Sequence, residues 1–407
     1  MLSLMQEVEM PLSFVLYRME KAGVLVDRDF LKVLGKQYIK EIEETRKKVI
    51  EATGGKEFNL NSPQQLGEVL FDQMQLPHTR KTSKGYSTSA EVLENLRWDA
   101  PEVIEPLLRY RQLTKLNGTY VEGLLPLIKQ DGRVHSHFDQ VSTATGRLSS
   151  SEPNLQNIPV RSEEGKEIRQ AFLPREGWIL VDADYSQIEL RLMAHFSGDQ
   201  AMVEAFQNNE DIHARTASEI FDVPLEWVTP ELRSRAKAVN FGLIYGISGF
   251  GLSKNTGVSQ REAREFISKY FEKYPGVKKY MDNAVSEALR DGYAQTVMGR
   301  RRYLPELHSP KAPIREFGKR AAMNTPVQGT AADIIKLAMV KVDQVLREHH
   351  LQSRMILQVH DELILECPPE EVEVASSLLR EAMEKVIQLK VPLVAEIHTG
   401  RNWADAK

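Results

Sequence analysis

The chain has 407 residues and an apolar content of 42%, which is enough to fill two or three domains or lobes with buried side chains. Its 53 lysines and arginines stand against 57 acidic residues, and the net charge of −4 gives no general argument for a polyanionic partner. A nucleic-acid interface would have to come from local basic clusters. The single cysteine, Cys367, excludes an internal disulfide bond and a cysteine metal site, and it is typical of a reducing cytoplasm.

The N-terminus does not predict export. Glu7 and Glu9 occupy positions where a signal peptide has basic and then apolar residues. No uncharged apolar run approaches the length that a membrane-spanning helix needs. We therefore expect neither secretion nor membrane insertion, and a cytoplasmic location.

Helical periodicity dominates the chain from residue 1 to about residue 130. Two helix starts within this region are predicted from capping boxes, one at Ser62 followed by Gln65 and one at Thr88 followed by Glu91. The apolar residues that repeat at steps of three and four are Phe30, Leu31, Val33, Leu34, Tyr38, Ile39 and Ile42.

The loop 78–88 is rich in Ser, Thr and Gly, and its composition predicts an exposed segment at the tip of a lobe. Such a loop is placed to contact a partner rather than to pack. Two other basic clusters lie at 300–302, directly after a glycine, and at 233–237. Any one of these clusters on its own is also compatible with a solvated surface. The cations of the loop are Arg80, Lys81 and Lys84.

A sheet is predicted from Arg133 onward, where polar and apolar residues alternate through Val141. Residues 178–181 form a continuous apolar run that is typical of a strand buried on both faces, and this run ends abruptly at Asp182 and Asp184. Helical patterns then dominate again until about residue 290.

Two apolar strands near the C-terminus, 355–359 and 363–365, flank a turn that contains Asp361 and Glu362. This pattern predicts a hairpin with an acidic tip. Buried carboxylates need a cation, and a sheet that brought Asp184 beside the tip would present oxygen ligands of the kind that magnesium prefers. Aspartates are common in turns, so an ordinary turn is the alternative.

Thr229 followed by Pro230 predicts the start of a helix with an unusual polar face. This face carries two cations and then two aromatic rings at steps of four residues, with an angular drift of roughly 40° per step. The cations could bind a polyphosphate and the rings could stack on a nucleobase, so one face could hold a nucleotide. An exposed basic helix with core aromatics is the alternative. The face consists of Arg233, Lys237, Phe241 and Tyr245.

Six motifs follow one another along the chain. TGRLSS begins at Thr145, PNLQNIP at Pro153 and DYSQIELR at Asp184, while the helix with the cations and rings runs into GLIYG. NTPVQGTAADIIK begins at Asn324 and QVHDE at Gln358. In wording and order these motifs resemble the family A DNA polymerases of the bacterial DNA polymerase I type. The agreement extends from about residue 10 to the C-terminus and covers the polymerising, Klenow-like region of that family.

The resemblance implies an α+β, mainly helical fold shaped like a right hand. The thumb would span 11–132, the fingers 188–319, and the palm 133–187 and 320–407, with an antiparallel palm sheet backed by helices. Full-length relatives carry a 3′–5′ exonuclease-type domain, and many also carry a 5′ nuclease domain, upstream of this region. Neither domain is expected in this chain, so proofreading is not expected.

The same resemblance implies a two-metal site. Asp184 and Asp361, on adjacent palm strands, would hold two magnesium ions, for which manganese could substitute. The backbone carbonyl of Tyr185 would help, and Glu362 would support the site. One ion would lower the pKa of the primer 3′-hydroxyl, and the other would bridge the triphosphate and stabilise the leaving pyrophosphate. Lys237 would donate a proton to the pyrophosphate.

The incoming deoxynucleotide would be bound largely by the helix face described above. Glu189 would abut the sugar and exclude ribonucleotides, and Phe241 would pack against sugar and base, a choice that goes with discrimination against dideoxynucleotides. Tyr245 would occupy the template position until the fingers close. The residues implied for nucleotide binding are Arg233, Lys237, Phe241, Tyr245, His213, Glu189, Gln187 and Arg161.

The implied DNA contacts do not read sequence. Minor-groove contacts would test the geometry of the base pair, because the acceptors there are nearly the same for every correct pair. Cations at the thumb tip would hold the duplex backbone. The minor-groove residues are Arg147, Asn324 and Gln328, with His360 near the primer terminus, and the other implied DNA contacts are Arg320, Arg80, Lys81 and Lys84.

We therefore expect a monomeric enzyme that adds dNTPs to the 3′-hydroxyl of a DNA primer. A single-subunit phage-type RNA polymerase is one rival, but it would not need Glu189 or the PNLQNIP segment. A two-metal nuclease would use the paired carboxylates but would leave the face from Arg233 to Tyr245 without a role. A catalytically inactive DNA-binding protein would not need either the metal ligands or the triphosphate contacts.

Overall fold

The computed structural model describes residues 1–78, 81, 85–160 and 162–407. Helices surround small antiparallel sheets, which confirms the predicted α+β, mainly helical class. The α-helices are Leu2–Leu4 (α1), Met10–Ala22 (α2), Arg28–Ala52 (α3), Pro63–Gly67 (α4), Ala90–Asn95 (α5), Pro101–Leu116 (α6), Glu163–Gln170 (α7), Ile188–Ser197 (α8), Gln200–Gln207 (α9), Ile212–Phe221 (α10), Pro230–Ile244 (α11), Gly249–Thr256 (α12), Gln260–Lys273 (α13), Pro275–Asp291 (α14), Ala312–Glu348 (α15) and Val372–Glu384 (α16).

The strands belong to four separate sheets in the described part of the chain. They are Val24–Val26 (β1), Arg133–Val134 (β2), His137–Asp139 (β3), Ser149–Ser151 (β4), Phe172–Leu173 (β5), Ile179–Tyr185 (β6), Tyr293–Gln295 (β7), Arg301–Tyr303 (β8), Arg354–Val359 (β9), Glu362–Cys367 (β10) and Ala395–Gly400 (β11). Short π-helical segments are Met5–Glu9, Glu68–Gln73 and Asn117–Glu122, and 3₁₀ turns are Leu125–Leu127, Leu155–Asn157, Leu225–Trp227, Pro305–His308 and Pro369–Glu371.

The largest sheet has four strands in the order β11-β6-β10-β9, and each neighbouring pair is antiparallel. Leu180, Val181 and Ala183 on β6 are almost fully buried, as expected for an inner strand covered on both faces. Helix α16 packs against β6 and β11, and α15 packs against α16. The predicted antiparallel sheet backed by helices is confirmed.

The strand ends differ from the prediction. Strand β6 does not stop at Asp182, because backbone pairing with β10 and β11 continues through Tyr185. Glu362 likewise opens β10 instead of lying on the turn. The alternating segment that begins at Arg133 forms two short strands, β2 and β3, rather than one. Pairing with neighbouring strands, which a local pattern does not reveal, sets these limits.

The N-terminal region is helical as predicted, with α3 packed against α6. Buried residues between 49 and 110 form a separate hydrophobic core, whereas the first half of α3 joins the main core. In the predicted stripe of α3, Leu31, Leu34 and Tyr38 are buried, whereas Val33 and Ile39 are 55% and 50% exposed. The region also contributes strand β1, which was not predicted and which pairs with β2 and β5.

Neither of the two predicted capping boxes forms in full. The Ser62 hydroxyl accepts a hydrogen bond from the Gln65 backbone at 3.4 Å, but the Gln65 side chain accepts from the Asn59 backbone at 2.8 Å instead of reciprocating. The second helix begins one residue later than predicted, with Ser89 rather than Thr88 as its N-cap. Thr88 is buried, and its hydroxyl accepts a hydrogen bond from Arg111 Nη2 at 3.3 Å instead of capping the helix.

Helix α15 extends for 37 residues and crosses the predicted boundary between fingers and palm at residue 320. Its N-terminal turns are exposed, and its central turns are buried. In the described ranges, we find no helix with both the length and the apolar character that crossing a membrane requires.

Candidate active site

The two carboxylates predicted to bind metal meet at one end of the four-stranded sheet. Asp184 is paired in register with Glu362 across β6 and β10. Asp361 directly precedes β10, and its carbonyl accepts a hydrogen bond from the Tyr185 backbone at 3.2 Å. Both aspartates line a cavity of about 490 Å³, which we call the carboxylate cavity. Asp184 lies on a strand as predicted, whereas Asp361 lies in the turn that precedes the adjacent strand rather than on that strand.

Both aspartates are half-buried and form no ion pair with a described residue. Burial, reinforced by Glu362, raises the pKa of Asp184 to about 6. Burial also raises the pKa of Asp361 to about 7, although the Arg147 guanidinium works in the opposite direction. Among the described residues, neither carboxylate accepts a hydrogen bond or forms an ion pair. A divalent cation would supply the missing positive charge.

The two aspartates suit magnesium better than a metal ion whose ligands are all protein side chains. No cluster of three His, Cys, Asp or Glu side chains suited to a metal occurs in the described ranges. Magnesium usually keeps several waters and binds one or two carboxylates together with substrate phosphates, so two aspartates are sufficient. The Tyr185 hydroxyl donates to the Met383 carbonyl at 2.6 Å, so only the backbone of Tyr185 is available to a cation.

Glu362 is directed away from the cavity. Its carboxylate accepts a hydrogen bond from the Trp403 indole at 3.2 Å and pairs with the Lys407 ammonium. Only 3% of the residue is exposed. Glu362 is therefore a buried carboxyl group held by Trp403 and Lys407, next to the two aspartates. Sequence analysis did not identify Trp403 or Lys407 as its partners.

Asp182 lies in the same buried group as Glu362. It is 3% exposed, and neither carboxylate oxygen has a hydrogen-bond partner among the described residues. Burial, followed by the repulsion of Glu362, raises its pKa to about 9, so the neutral acid is the stable form. The sequence marked Asp182 only as the end of an apolar run.

The predicted face of α11 opens into the carboxylate cavity. The Thr229 side chain accepts a hydrogen bond from the Leu232 backbone at 3.3 Å, so the predicted N-cap is confirmed. The steps of four residues then align two cations and two aromatic rings along one side of the helix. The lining residues contributed by this face are Arg233, Lys237, Phe241 and Tyr245.

Arg233 and His213 are held by residues that sequence analysis did not single out. Arg233 Nε donates to Asp211 Oδ2 at 2.6 Å, and Asp211 also caps α10. Asn240 Nδ2 donates to His213 Nδ1 at 3.1 Å. Burial, followed by repulsion from Arg233, lowers the pKa of His213 to about 4, so the imidazole is neutral near pH 7. A local signal for Asp211 existed, because an aspartate directly before the first residue of a helix is a common N-cap.

Glu189 joins two residues from other parts of the chain. Arg147 Nη2 donates to Glu189 Oε1 at 2.6 Å, and the Tyr245 hydroxyl donates to Glu189 Oε2 at 2.5 Å. Glu189 is 6% exposed and lies in the first turn of α8. Both of its oxygens are therefore committed, one to each partner.

Two residues with left-handed backbone conformations flank the site. Gln187, with φ at 54°, turns the chain from β6 into α8, and His360, with φ at 52°, forms the turn after β9. Both line the carboxylate cavity. Such conformations are costly for residues other than glycine and often occur at functional sites. Burial, followed by repulsion from Arg147, lowers the pKa of His360.

A second cavity, of about 900 Å³, lies on the other side of α11. Lys237, Phe241 and Tyr245 border both cavities, and Arg320 borders only the second. Asn324 and Gln328 follow Arg320 along α15 and are half-buried. Neither of them borders either cavity.

Three of the predicted site residues, Arg80, Lys84 and Arg161, lie outside the described residues. Lys81 is described, and its ammonium lies 3.6 Å from Asp72 and 4.4 Å from the centroid of the Tyr86 ring. These contacts hold Lys81 against the surface of the helical region.

Comparison with known proteins gives the same family as the motifs. A sequence profile of DNA polymerase family A matches residues 28–405. DNA polymerase I of Geobacillus stearothermophilus is 52% identical over 408 residues, with 99% of this chain and 46% of that protein covered. DNA polymerase I of Bacillus subtilis (strain 168) is 51% identical, with 100% of this chain and 46% of that protein covered. The chain thus spans slightly less than half the length of these relatives.

A solved structure is similar over the whole chain. It is described as the POL domain of Pol1 from M. smegmatis in complex with DNA primer-template and dNTP. It superposes with a TM-score of 0.95 at 46% sequence identity, and the match covers 100% of this chain and 71% of that one. The profile, the relatives and this polymerase fold agree with the six motifs, and the chain belongs to DNA polymerase family A.

Proposed function

We propose that the chain catalyses template-directed DNA synthesis, adding dNTPs to a primer 3′-hydroxyl with release of pyrophosphate. One observation carries this proposal: two half-buried aspartates without an ion-pair partner among the described residues and a helix face of cations and rings converge on one cavity. The metal ligands and the triphosphate contacts of a nucleotidyl transfer would have to be adjacent in this way. The names of the relatives and the primer-template and dNTP bound to the similar structure also support the proposal.

Asp184 and Asp361, with the Tyr185 carbonyl, are the residues that would hold two magnesium ions, and manganese could replace them. The bound ions would activate the primer 3′-hydroxyl and stabilise the charge that develops on the pyrophosphate. The residues themselves contribute a half-buried pair of carboxyl groups whose oxygens have no competing hydrogen-bond donors among the described residues. Glu362 would support this pair through its contacts with Trp403 and Lys407.

Arg233, Lys237 and His213 would bind the triphosphate. Lys237 forms no salt bridge with a described residue, so its ammonium is free to bind phosphate and to donate a proton to the leaving pyrophosphate. Arg233 would have to exchange Asp211 for phosphate oxygens. His213 is neutral near pH 7, so it would contribute a ring N–H donor rather than a positive charge. Arg161 and Gln187 complete the proposed set.

Glu189 would exclude ribonucleotides, because its side chain is fixed by Arg147 and Tyr245 and cannot easily move away from a 2′-hydroxyl. Phe241 would pack against the sugar and base. For Tyr245 to leave the template position as the fingers close, its hydrogen bond to Glu189 must break. Closure over a correctly paired nucleotide would then complete the site, which is selection by induced fit.

We assign the lobes as a thumb at 11–132, a palm at 133–187 and 320–407, and fingers at 188–319. The separate hydrophobic core of the helical region supports the thumb, and the four-stranded sheet supports the palm. A monomer could supply the whole site, because every residue that lines the carboxylate cavity comes from one chain. The relatives are bacterial, which supports a place in the bacterial cytoplasm.

The proposed contacts with DNA follow two surfaces. Arg147, Asn324 and Gln328 would test the minor groove of the new duplex, and His360 would lie near the primer terminus. The loop with Arg80, Lys81 and Lys84 would hold the backbone of the duplex.

The test is extension of a labelled primer on a DNA template with magnesium, with either dNTPs or rNTPs supplied. The wild type should extend with dNTPs only, and Asp361→Asn should abolish extension while Asp99→Asn, a change at an exposed aspartate far along the chain, should not. Equal use of rNTPs would favour an RNA polymerase. Primer shortening that Asp361→Asn abolishes would favour a nuclease, and duplex binding without any reaction would favour an inactive binding protein.

A further inference from the structure

One face of α15 continues beyond the residues that the proposed function uses. Positions 320, 324 and 328 follow one another at steps of four, and residues 313 and 317 extend the same line toward the N-terminus of the helix. At 3.6 residues per turn, these five positions fall within roughly a quarter of the helix circumference. Exposure increases along this line, from half-buried Gln328 and Asn324 to exposed Arg320 and Phe317.

Phe317 is the unexplained member of this face. The residue is 46% exposed, and no role in the site described above accounts for an exposed aromatic ring at this position. Its ring is not isolated, because the guanidinium carbon of Arg302, on β8, lies 6.0 Å from the ring centroid. An exposed ring next to an arginine is the combination that binds single-stranded nucleic acid by stacking and charge.

The charges around the ring favour a polyanion. Among the described residues, neither Arg302 nor Arg320 forms a salt bridge or a side-chain hydrogen bond. The nearby acid Glu316 is bound to Lys319 at 2.8 Å. Arg302 from the hairpin and Arg320 from the helix therefore bring two positive charges to the surroundings of Phe317, and the single carboxylate of Glu316 is shared among Lys319, Arg320 and Arg315.

The surface is continuous with the cavity behind Tyr245. Arg320 borders the 900 Å³ cavity together with Tyr245 and Gly246. Gly246 has φ at 67°, and a Cβ atom there would lie 3.0 Å from Cγ of Arg320, so the arginine packs directly on the turn that ends α11. A strand leaving the position proposed for Tyr245 would meet Arg320 first and Phe317 one helical turn later.

We propose that single-stranded template not yet copied passes over Arg320 and stacks a base on Phe317, with Arg302 beside its backbone. The proposal rests on the proposed function, because only a templated polymerase presents such a strand. It adds a binding surface outside the two cavities. The ring would hold any base, because every base has a stacking face, and the contact would therefore not depend on sequence.

The experiment measures the Kd of the full chain for two primer-templates at one fixed salt concentration. They share the same duplex and differ in the 5′ template overhang, which is one nucleotide in the first and about eight in the second, within the usual site size of such surfaces. A base stacked on an aromatic side chain strengthens binding by roughly five- to a hundredfold. The wild type should therefore bind the long overhang more tightly by at least about fivefold.

Phe317→Ala should lose most of this gain, Arg302→Gln should lose part of it, and Phe317→Trp should keep it. Phe14→Ala is the matched control, because Phe14 is an aromatic residue on α2 that is 61% exposed. The tryptophan variant separates loss of the ring from damage to the fold. If the long overhang increases the affinity of wild type and Phe317→Ala by the same factor, the proposal is overturned.

A third substrate distinguishes the template from a displaced strand, since both are single-stranded DNA. It carries a downstream strand annealed to the template with a free 5′ flap. If Phe317→Ala weakens binding only to the flap substrate, the template assignment is wrong. Failure of the wild type to extend a primer on any substrate would count against the proposed function itself. If the wild type extends primers normally but Phe317→Ala binds the long overhang as much more tightly as the wild type does, the result counts against the Phe317 surface alone.

Discussion

The Tyr245 hydroxyl donates a hydrogen bond to Glu189 Oε2 at 2.5 Å, while Arg147 holds the other oxygen at 2.6 Å. These three residues come from α8, the end of α11 and the loop after β3. The position of Glu189 is therefore fixed before any nucleotide binds. This rigidity matters because a flexible carboxylate would not exclude a ribose 2′-hydroxyl.

Replacing Glu189 should relax the selection of the sugar. Forcing an extra group into a packed site costs roughly 1–3 kcal/mol, so the preference for dNTP over rNTP should fall by about ten- to a hundredfold in Glu189→Ala. The measurement is the ratio of kcat/KM for the two nucleotides in single-nucleotide incorporation. Tyr245→Phe should keep the preference, because it removes only the hydrogen bond that must already break when the fingers close and leaves the contact of Arg147 with Glu189 in place. An unchanged ratio in Glu189→Ala would remove Glu189 from this role.

The pair of Arg233 with Asp211 predicts a competition at the triphosphate site. If Arg233 must leave Asp211 to bind phosphate, Asp211→Asn should lower the KM for dNTP, because asparagine can still cap α10 but does not hold the guanidinium by charge. Both side chains are 43% exposed, and pairs of this kind are worth roughly 0.2–1 kcal/mol, so we expect a decrease of up to about fivefold.

The control for this prediction is Asp222→Asn, which removes an exposed partner of Lys269 at the other end of α10. It should leave the KM unchanged. A higher KM in Asp211→Asn would mean that Asp211 positions Arg233 for phosphate instead of competing with it.

The sequence predicts the site better than it predicts the contacts that hold the site. Residues four apart on α11 could be predicted to share a face, because helix geometry alone sets that relation. The acidic turn at Asp361 could be predicted to lie near Asp184 because antiparallel pairing brings β6 beside β10. The partners of Glu362 could not be predicted in the same way. Trp403 is 41 residues away along the chain, and no local pattern records which distant residue fills the space behind a strand.

The difference between local patterns and distant contacts also explains where the predicted fold was wrong. Thr88 and Ser89 both have hydroxyls that could cap a helix, and burial of Thr88 decides between them. The three residues of β1 are too few to show a period, and they become a strand only because β2 and β5 lie on either side. Tertiary pairing, not local propensity, determines such elements.

His213 should make stability depend on pH below neutrality. Its pKa is about 4 in the folded chain against 6.5 for an ordinary histidine, so the unfolded chain binds a proton more readily between these values. The contribution of neutral His213 to stability is therefore present above pH 6.5 and is lost as the pH falls toward 4. Between pH 7 and pH 5 the loss amounts to roughly 2 kcal/mol.

The measurement is the free energy of unfolding in urea at pH 7 and pH 5, for the wild type and His213→Gln. Glutamine can still accept from Asn240 but does not titrate, so the variant should lose less stability on acidification. Other acidic groups affect both proteins equally and cancel in the comparison. Equal losses in the two proteins would show that His213 is free to bind a proton in the folded chain.

A buried cluster of four charges should make Lys336 important for stability. The Lys336 ammonium lies 2.9 Å from Glu9 Oε1, and Arg300 pairs with both Glu9 and Asp333. Lys336 and Asp333 have fully buried side chains, and the four charges balance. Lys336→Met would leave one negative charge in excess, and breaking a buried pair in this way costs roughly 3–5 kcal/mol.

The control is the double variant Glu9→Gln with Lys336→Met, in which Arg300 and Asp333 remain balanced. If the excess negative charge causes the loss of stability in Lys336→Met, adding Glu9→Gln should restore part of the free energy of unfolding. Coupling between neighbouring groups of this kind is roughly 0.5–3 kcal/mol. Lys385→Ala, which removes an exposed pair with Glu381, should cost much less, because solvent already screens these charges. Urea unfolding curves measure all three, and additive losses in the double variant would show that packing around Lys336, and not its charge, sustains this region.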